Sequence, residues 1–236
     1  MEIVGADPPT AEQIRERHER LLVRLRSAAE ANGHDPDRLR IVAITKTHPV
    51  EVVRRAVEAG LTRLGENRIQ EAEPKIAAVP TAEWHLVGHL QSNKARRAVT
   101  SFDAIHSIDG ADLLRRVAAI AAEEVRTPRL LLQVNVSGEA SKSGMAAEAL
   151  ATPELIAAAR EAGIVGLMTI APMGASVSEA RAVFAGLRDL RDRLRQATGL
   201  ELPELSMGMS ADAEAAVAEG ATLVRIGTAL FGPRPG

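Results

Sequence analysis

Short, continuously apolar runs alternate with longer stretches whose apolar residues recur at helical spacing, and the alternation holds along almost the whole chain. The first helical stretch opens at Thr10 with Gln13 three residues on, the spacing of a capping box. It carries Ile14, Leu21, Leu22, Leu25, Ala28 and Ala29 on one stripe until Gly33. Beyond it the pattern predicts strands at about 40–46, 63–65, 83–87, 103–108, 129–136, 164–169, 203–206 and 222–226. Helices are predicted between them, at about 49–59, 67–78, 91–99, 111–125, 152–162, 178–197 and 210–219. Gly60, Gly163, Gly199 and Gly220 each follow a helical stretch, where a left-handed C-cap favours glycine.

Repeated strand-then-helix units without hairpin signals predict an α/β fold: a single (β/α)8 barrel of the TIM type with an extra N-terminal helix, spanning residues 1–236 as one domain. The competing architecture is an open flavodoxin-like sheet with an added unit. Neither a GxGxxG nor a P-loop pattern follows any strand, which weighs against it. The most linker-like stretch, Ser137 to Gly144, follows the fifth strand. A domain boundary there would cut the barrel, so it is expected to be a lid or binding loop at the C-terminal mouth.

Composition narrows the function classes. With 46% hydrophobic residues in 236, the chain can bury one large core. A net charge of −2 gives no global case for nucleic acid or an anionic membrane as partner. Cysteine is absent, which excludes disulfides, thiolate metal sites and cysteine nucleophiles. The segment from Met1 to Pro9 lacks a basic stretch followed by an apolar run, and no apolar run is long enough to span a bilayer. A cytoplasmic protein is expected.

In a barrel, chemistry belongs at the C-terminal ends of the strands. The first strand, Arg40 to Lys46, ends in a lysine, and alternation puts Val42, Ile44 and Lys46 on one face. An ammonium above an apolar column loses hydration, which favours the neutral amine that attacks an aldehyde to form an imine. Taken alone, the same lysine also reads as a strand-end side chain reaching for water. The seventh strand runs into Ser206-Met207-Gly208-Met209-Ser210 and the eighth into Gly227-Thr228-Ala229. Both loops put glycine or a hydroxyl at a helix start, where free backbone N–H groups favour an anion, and these loops are the usual phosphate site of the fold. Ser210 and Thr228 also read as plain helix caps, but two such loops side by side favour a phosphate cup in which Gly227 admits the phosphate and Thr228, Ser206 and also Ser210 offer hydroxyl donors.

Arg225 sits inside the apolar eighth strand, so its guanidinium is expected to face an anion or acceptor in the mouth; an ion pair with Glu66 is the alternative. His85 and His89 lie four residues apart on a strand-like run, a span of about 13 Å, too far to share one ion, and no metal is expected. The basic turn Asn93-Lys94-Ala95-Arg96-Arg97 reads as a solvated helix face.

An imine-forming lysine, an arginine and a phosphate cup describe a site for a phosphorylated aldehyde, and pyridoxal 5′-phosphate (PLP) fits. The chain resembles the pyridoxal phosphate homeostasis proteins, which are similar to the barrel domain of alanine racemase. The stretches that carry the resemblance are Ala43 to Thr47, Gly65 to Arg68, Trp84 to Lys94, Gly166 to Thr169, Leu205 to Asp212 and Val224 to Gly232. The resemblance implies that Lys46 holds PLP as an imine, that Arg225 faces the pyridine nitrogen and that Ser206, Gly227 and Thr228 hold the phosphate. Asn67 is implied beside the ring.

It further implies a PLP-binding protein of vitamin B6 and amino-acid homeostasis without efficient catalysis, with PLP-dependent apo-enzymes as clients. The alternatives are a PLP-dependent amino-acid racemase or decarboxylase, and a Schiff-base aldolase acting on a phosphorylated sugar. Should Lys46 not be the anchor, Lys142 in its Gly/Ser loop is the next candidate.

Two-base racemisation needs a base on each face of the substrate Cα, and Lys46 serves only one. In alanine racemase the opposite base is a tyrosine, and this chain has 0 tyrosines, leaving only a histidine such as His85 or His89 to replace it. The PLP-loaded protein, incubated with L-alanine in deuterated water, is therefore expected to exchange the Cα proton no faster than free PLP at equal concentration. Rapid exchange that disappears in Lys46→Ala would overturn the non-enzyme reading.

Overall fold

The apolar runs become parallel strands because a strand covered on both faces has no solvent side to mark with polar residues. In the computed structural model, which describes residues 8–139 and 143–233, they are β1 (Arg40–Ile44), β2 (Arg63–Glu66), β3 (Glu83–Leu86), β4 (Ala104–Ile108), β5 (Arg129–Asn135), β6 (Gly166–Met168), β7 (Glu204–Ser206) and β8 (Leu223–Ile226). Each pairs in parallel with its neighbour in the chain, and β1 pairs with β8 from Arg40↔Leu223 to Ala43↔Ile226, so the sheet closes into a barrel. Closure excludes the open flavodoxin-like alternative.

Around the strands lie α1 (Ala11–Ala31), α2 (Val50–Glu58), α3 (Ile69–Ala78), α4 (Ala95–Ser101), α5 (Ala111–Glu123), α6 (Pro153–Ala162), α7 (Val177–Thr198), α8 (Ala213–Ala218) and the short α9 (Thr228–Phe231). The predicted capping box is present: Thr10 Oγ1 accepts from Gln13 N, and Thr10 N donates to Gln13 Oε1. Gly163 and Gly199 end α6 and α7 in the left-handed region, at φ 59° and 75°. No described helix is long and apolar enough to cross a membrane.

Strand alternation divides the core. Residues such as Ala43, Leu64, Trp84, Ile105, Leu132, Leu205 and Val224 point outward into one large apolar layer beneath the helices. Inside the barrel, Val42, Ile44, Leu131 and Leu223 form a small apolar cluster. Much of the remaining interior is polar, with His85, His106, Ser206 and Arg225 all buried.

Element ends differ from the sequence pattern where local contacts intervene. β1 stops at Ile44 because Thr45 enters a turn in which His48 N donates to Thr45 O at 3.1 Å. α8 begins at Ala213, since Met209 to Asp212 form a turn closed by Asp212 N on Met209 O at 3.1 Å. The segment predicted as a lid is tied to β5 on both described sides. Asn135 Nδ2 donates to Glu139 O at 2.8 Å, and Met145–Ala146 pairs with Val134 and Asn135 as a two-residue strand. Lys142 lies outside the described residues.

Gly166 starts β6 against β7, and a Cβ there would sit 1.9 Å from the Glu204 carbonyl oxygen. Backbone cannot rotate away as a side chain would, so Gly166→Ala is expected to destabilise the fold by about 1–3 kcal/mol, seen as a lower midpoint in urea or thermal unfolding. An unchanged midpoint contradicts the close packing of these two strands.

Candidate functional site

The turn after β1 carries Lys46. Thr45 N donates to Gly65 O at 3.0 Å, continuing the pairing with β2, and Thr47 adopts φ 68°. Lys46, half-buried, follows Val42 and Ile44 of the interior apolar cluster. His48 packs on Phe231 with ring centroids 5.1 Å apart, which draws α9 and the loop after β8 against the lysine turn.

The backbone on both sides of Lys46 is held from the helix layer. Lys75 of α3 is 4% exposed, and its Nζ donates to Thr45 O at 2.9 Å, to Glu66 Oε1 at 2.7 Å and to Glu71 Oε1 at 2.9 Å. Glu71 also accepts from Thr47 N, and Thr45 Oγ1 donates to Glu66 Oε1 at 2.6 Å. Burial is the largest influence on Glu66 and pushes its carboxyl up from the ordinary range, with the Lys75 and Thr45 bonds opposing. Glu66 thus pairs with Lys75, and the alternative partner considered for it, Arg225, is elsewhere. Lys75 escaped the sequence reading, although it stands on the buried stripe Ile69, Ala72, Lys75 of its helix, where a lysine is out of place.

Arg225 points into the barrel. Its NH1 donates to Ser206 Oγ at 2.7 Å and its NH2 to Thr169 O at 2.9 Å; among the described residues it has no carboxylate within ion-pair distance. Burial lowers its pKa to about 10, against the upward pull of Asp212. Beneath it a file of buried polar groups descends the barrel axis. His106 Nδ1 lies 2.8 Å from Ser206 Oγ, His106 Nε2 lies 2.8 Å from His85 Nδ1, and His85 Nε2 lies 3.3 Å from Glu83 Oε1. Glu83 is ion-paired with Arg63 and Arg129 at the opposite mouth, and its bond to His85 is the leading cause that lowers its pKa to about 2.

Among the expected site residues, the structure brings Lys46, Arg225, Gly227 and Thr228 to one end of the barrel on adjacent strands β1 and β8. Asn67, half-buried, follows β2 next to them. Ser206, expected beside Gly227 and Thr228, has its side chain wholly buried and its hydroxyl bonded to Arg225 and His106. Strand alternation turns it inward, whereas Ser210 of the same loop meets the loop after β8, its Oγ accepting from Ala229 N of α9 at 3.3 Å.

At Gly227, φ is −112° and a Cβ would meet Ile44 only at 3.6 Å, so neither strain nor packing within the chain demands glycine. His89 is at the surface beside Asp109 at 3.2 Å, away from buried His85. Arg96 and Arg97 are exposed and ion-paired with Glu123, Glu124 and Glu73, as a solvated helix face should be.

A family model described as "Alanine racemase, N-terminal domain" matches residues 24–235. A pyridoxal phosphate homeostasis protein of Pseudomonas aeruginosa is 43% identical over 225 residues, covering 94% of this chain and 96% of the relative. One of Synechocystis sp. is 42% identical over 204 residues, covering 84% and 93%. The chain belongs to the pyridoxal phosphate homeostasis proteins. PipY of Synechococcus elongatus, solved with PLP bound, is 41% identical with a TM-score of 0.79 over 93% of this chain and 100% of that one. Alanine racemase of Clostridium difficile is 14% identical with a TM-score of 0.68 over 91% of this chain and 60% of that one, a likeness of fold alone.

In this homeostasis-family barrel the Lys75 cluster makes a pH-dependent prediction. Lys75→Met strands the Glu66 charge in the interior and is expected to cost about 3–5 kcal/mol near neutral pH. The folded-state pKa of Glu66 is raised, and losing Lys75 raises it further. Its protonation therefore favours the folded variant below that value, and the benefit is lost as pH rises through it. The gap in urea-unfolding free energy between variant and parent should be larger at about pH 7 than at about pH 5; equal gaps would contradict a buried Glu66–Lys75 pair.

Proposed function

We propose that this chain binds PLP at the C-terminal mouth of the barrel and serves to hold and buffer it. Lys46 is the amine for the aldehyde carbon, and Arg225 is the donor for the pyridine nitrogen. The loop residues Gly227, Thr228 and Ser210 hold the phosphate, and Asn67 lies beside the ring. The observation that carries this reading is Arg225: a guanidinium, a donor-only group with five N–H bonds, buried with no carboxylate among the described residues. Two of its donors are bound below, and the rest suit an uncharged acceptor above. Gly227 supports the cup, since packing within the chain leaves its lack of a side chain to be explained by something that approaches from outside.

PLP supplies an electrophilic aldehyde that an amine traps reversibly, and a protein that stores it needs the amine, the phosphate grip and little else. The names of the relatives support a homeostatic role, and PLP-dependent apo-enzymes are the recipients that such a role implies. Of the two histidines considered as a replacement base, His85 is sealed inside the barrel by His106 and Glu83, and His89 stands at the surface beside Asp109.

Incubation with PLP should give a visible absorption band and, after borohydride, a stable adduct mapped to Lys46. Lys46→Ala should lose the adduct and keep the fold. Gly227→Val should weaken PLP binding more than Thr228→Ala, because it fills the approach instead of removing one donor. Equal affinity for pyridoxal and PLP, or an undiminished adduct in Lys46→Ala, would overturn the assignment.

A further inference from the structure

The polar file beneath Arg225 has a direction that hydrogen-bond bookkeeping determines. Arg225 only donates, so Ser206 Oγ accepts from it at 2.7 Å. The serine proton then has one acceptor in reach, His106 Nδ1 at 2.8 Å. With Nδ1 bare, neutral His106 carries its proton on Nε2 and donates it to His85 Nδ1 at 2.8 Å. His85 in turn carries its proton on Nε2, which faces the Glu83 carboxylate at 3.3 Å. Every proton in this arrangement has an acceptor. In the opposite direction the buried Ser206 proton has none, and the bare Nε2 of His85, although Arg129 NH2 lies 3.5 Å away to donate to it, faces the Glu83 carboxylate more closely, at 3.3 Å. Both rings are wholly buried, and burial, the leading cause, holds both pKa values down, so each stays neutral and able to pass a hydrogen bond on.

We propose that Ser206, His106 and His85 are positioning residues. They form a one-way relay from Arg225 to Glu83 that fixes the guanidinium beneath the PLP ring and lends it the field of a carboxylate at the far mouth of the barrel. The proposal rests on the reading of Arg225 as the ring-nitrogen donor. Its logic is that a carboxylate in direct contact would neutralise the arginine and occupy its donors, whereas a chain of neutral groups polarises Ser206 Oγ and leaves the upper N–H groups to the ligand. The charged groups around the relay are Arg225 on β8, Asp212 in the loop after β7, Glu83 on β3, Arg129 on β5, Glu204 on β7 and Arg63 on β2. Arg129 also joins Glu83 to Glu204, which anchors the lower end.

Two measurements on the full chain test it. Ring-nitrogen NMR of the ligand-free protein should find both His85 and His106 neutral and protonated on Nε2, a readout independent of PLP. His106→Leu breaks the relay, whereas His106→Gln keeps an acceptor and a donor at nearly the same spacing. The leucine variant should bind PLP at least about tenfold more weakly, the scale of one hydrogen bond to a charged group, and shift the visible band of the Lys46 adduct. The glutamine variant should restore both. If the leucine variant does not fold, Ser206→Ala serves in its place. An Nδ1-protonated tautomer on either ring, or unchanged affinity and band in the broken relay, overturns the proposal. If the parent chain binds no PLP at all, the site reading fails, and the ring tautomers alone decide whether the relay exists.

Discussion

A guanidinium buried inside a barrel whose other residues could have been apolar is the constraint that the interior of this protein is arranged around. Arg225 is only 5% exposed, which is costly for a charge unless its N–H groups find acceptors. The barrel meets part of that demand from neighbouring strands, with Ser206 Oγ from β7 and Thr169 O just beyond β6. It does not neutralise the charge locally. Glu83, the nearest carboxylate along the polar file, is reached only through two imidazoles. The interior therefore keeps a guanidinium with no carboxylate among the described residues within ion-pair distance, and the proposed PLP site rests on that feature.

Lys75 shows the contrasting solution. It is nearly as buried, but it meets two carboxylates and a backbone carbonyl, so its charge is consumed by the fold. What that cluster supplies is rigidity at Lys46. Lys75 holds the carbonyl of Thr45 and Glu71 holds the N–H of Thr47, so the residue between them sits on a turn whose two shoulders are fixed to α3. A nucleophile on a loop is placed reliably only when its supports are themselves held, and here a buried ion cluster does the holding.

The same arrangement explains why holding a cofactor need not mean using it. In the proposed site, an arginine donor opposite the pyridine nitrogen would disfavour protonation of that nitrogen and so weaken the ring as an electron sink. The chain has 0 tyrosines to act as a second base, and His85 and His106 are bonded to each other deep in the barrel. Capture of an aldehyde survives these losses because it needs only an amine, whereas exchange at a substrate Cα needs proton transfer on two faces.

The repeat of strands and helices, the capping box at Thr10 and the placing of Lys46, Gly227 and Thr228 at strand ends were legible in the sequence, because periodicity, caps and turns are local. Alternation even showed that Val42 and Ile44 share a face. It did not show what stands opposite that face. Ser206 read as a phosphate ligand because it opens the loop after the seventh strand, and only barrel closure, which turns inward the odd-numbered residues of β8 and the even-numbered residues of β7, brought it under Arg225 and onto His106. His106 itself, a polar residue in an apolar strand, and Lys75, on the buried stripe of α3, were visible as anomalies but had no partners until residues 100 and 30 positions away were folded against them. Sequence by itself determined which stretches form strands and helices and in what order. Tertiary structure alone decided which buried charge is neutralised and which is left for a ligand, because charge pairing depends on distance through space and not along the chain.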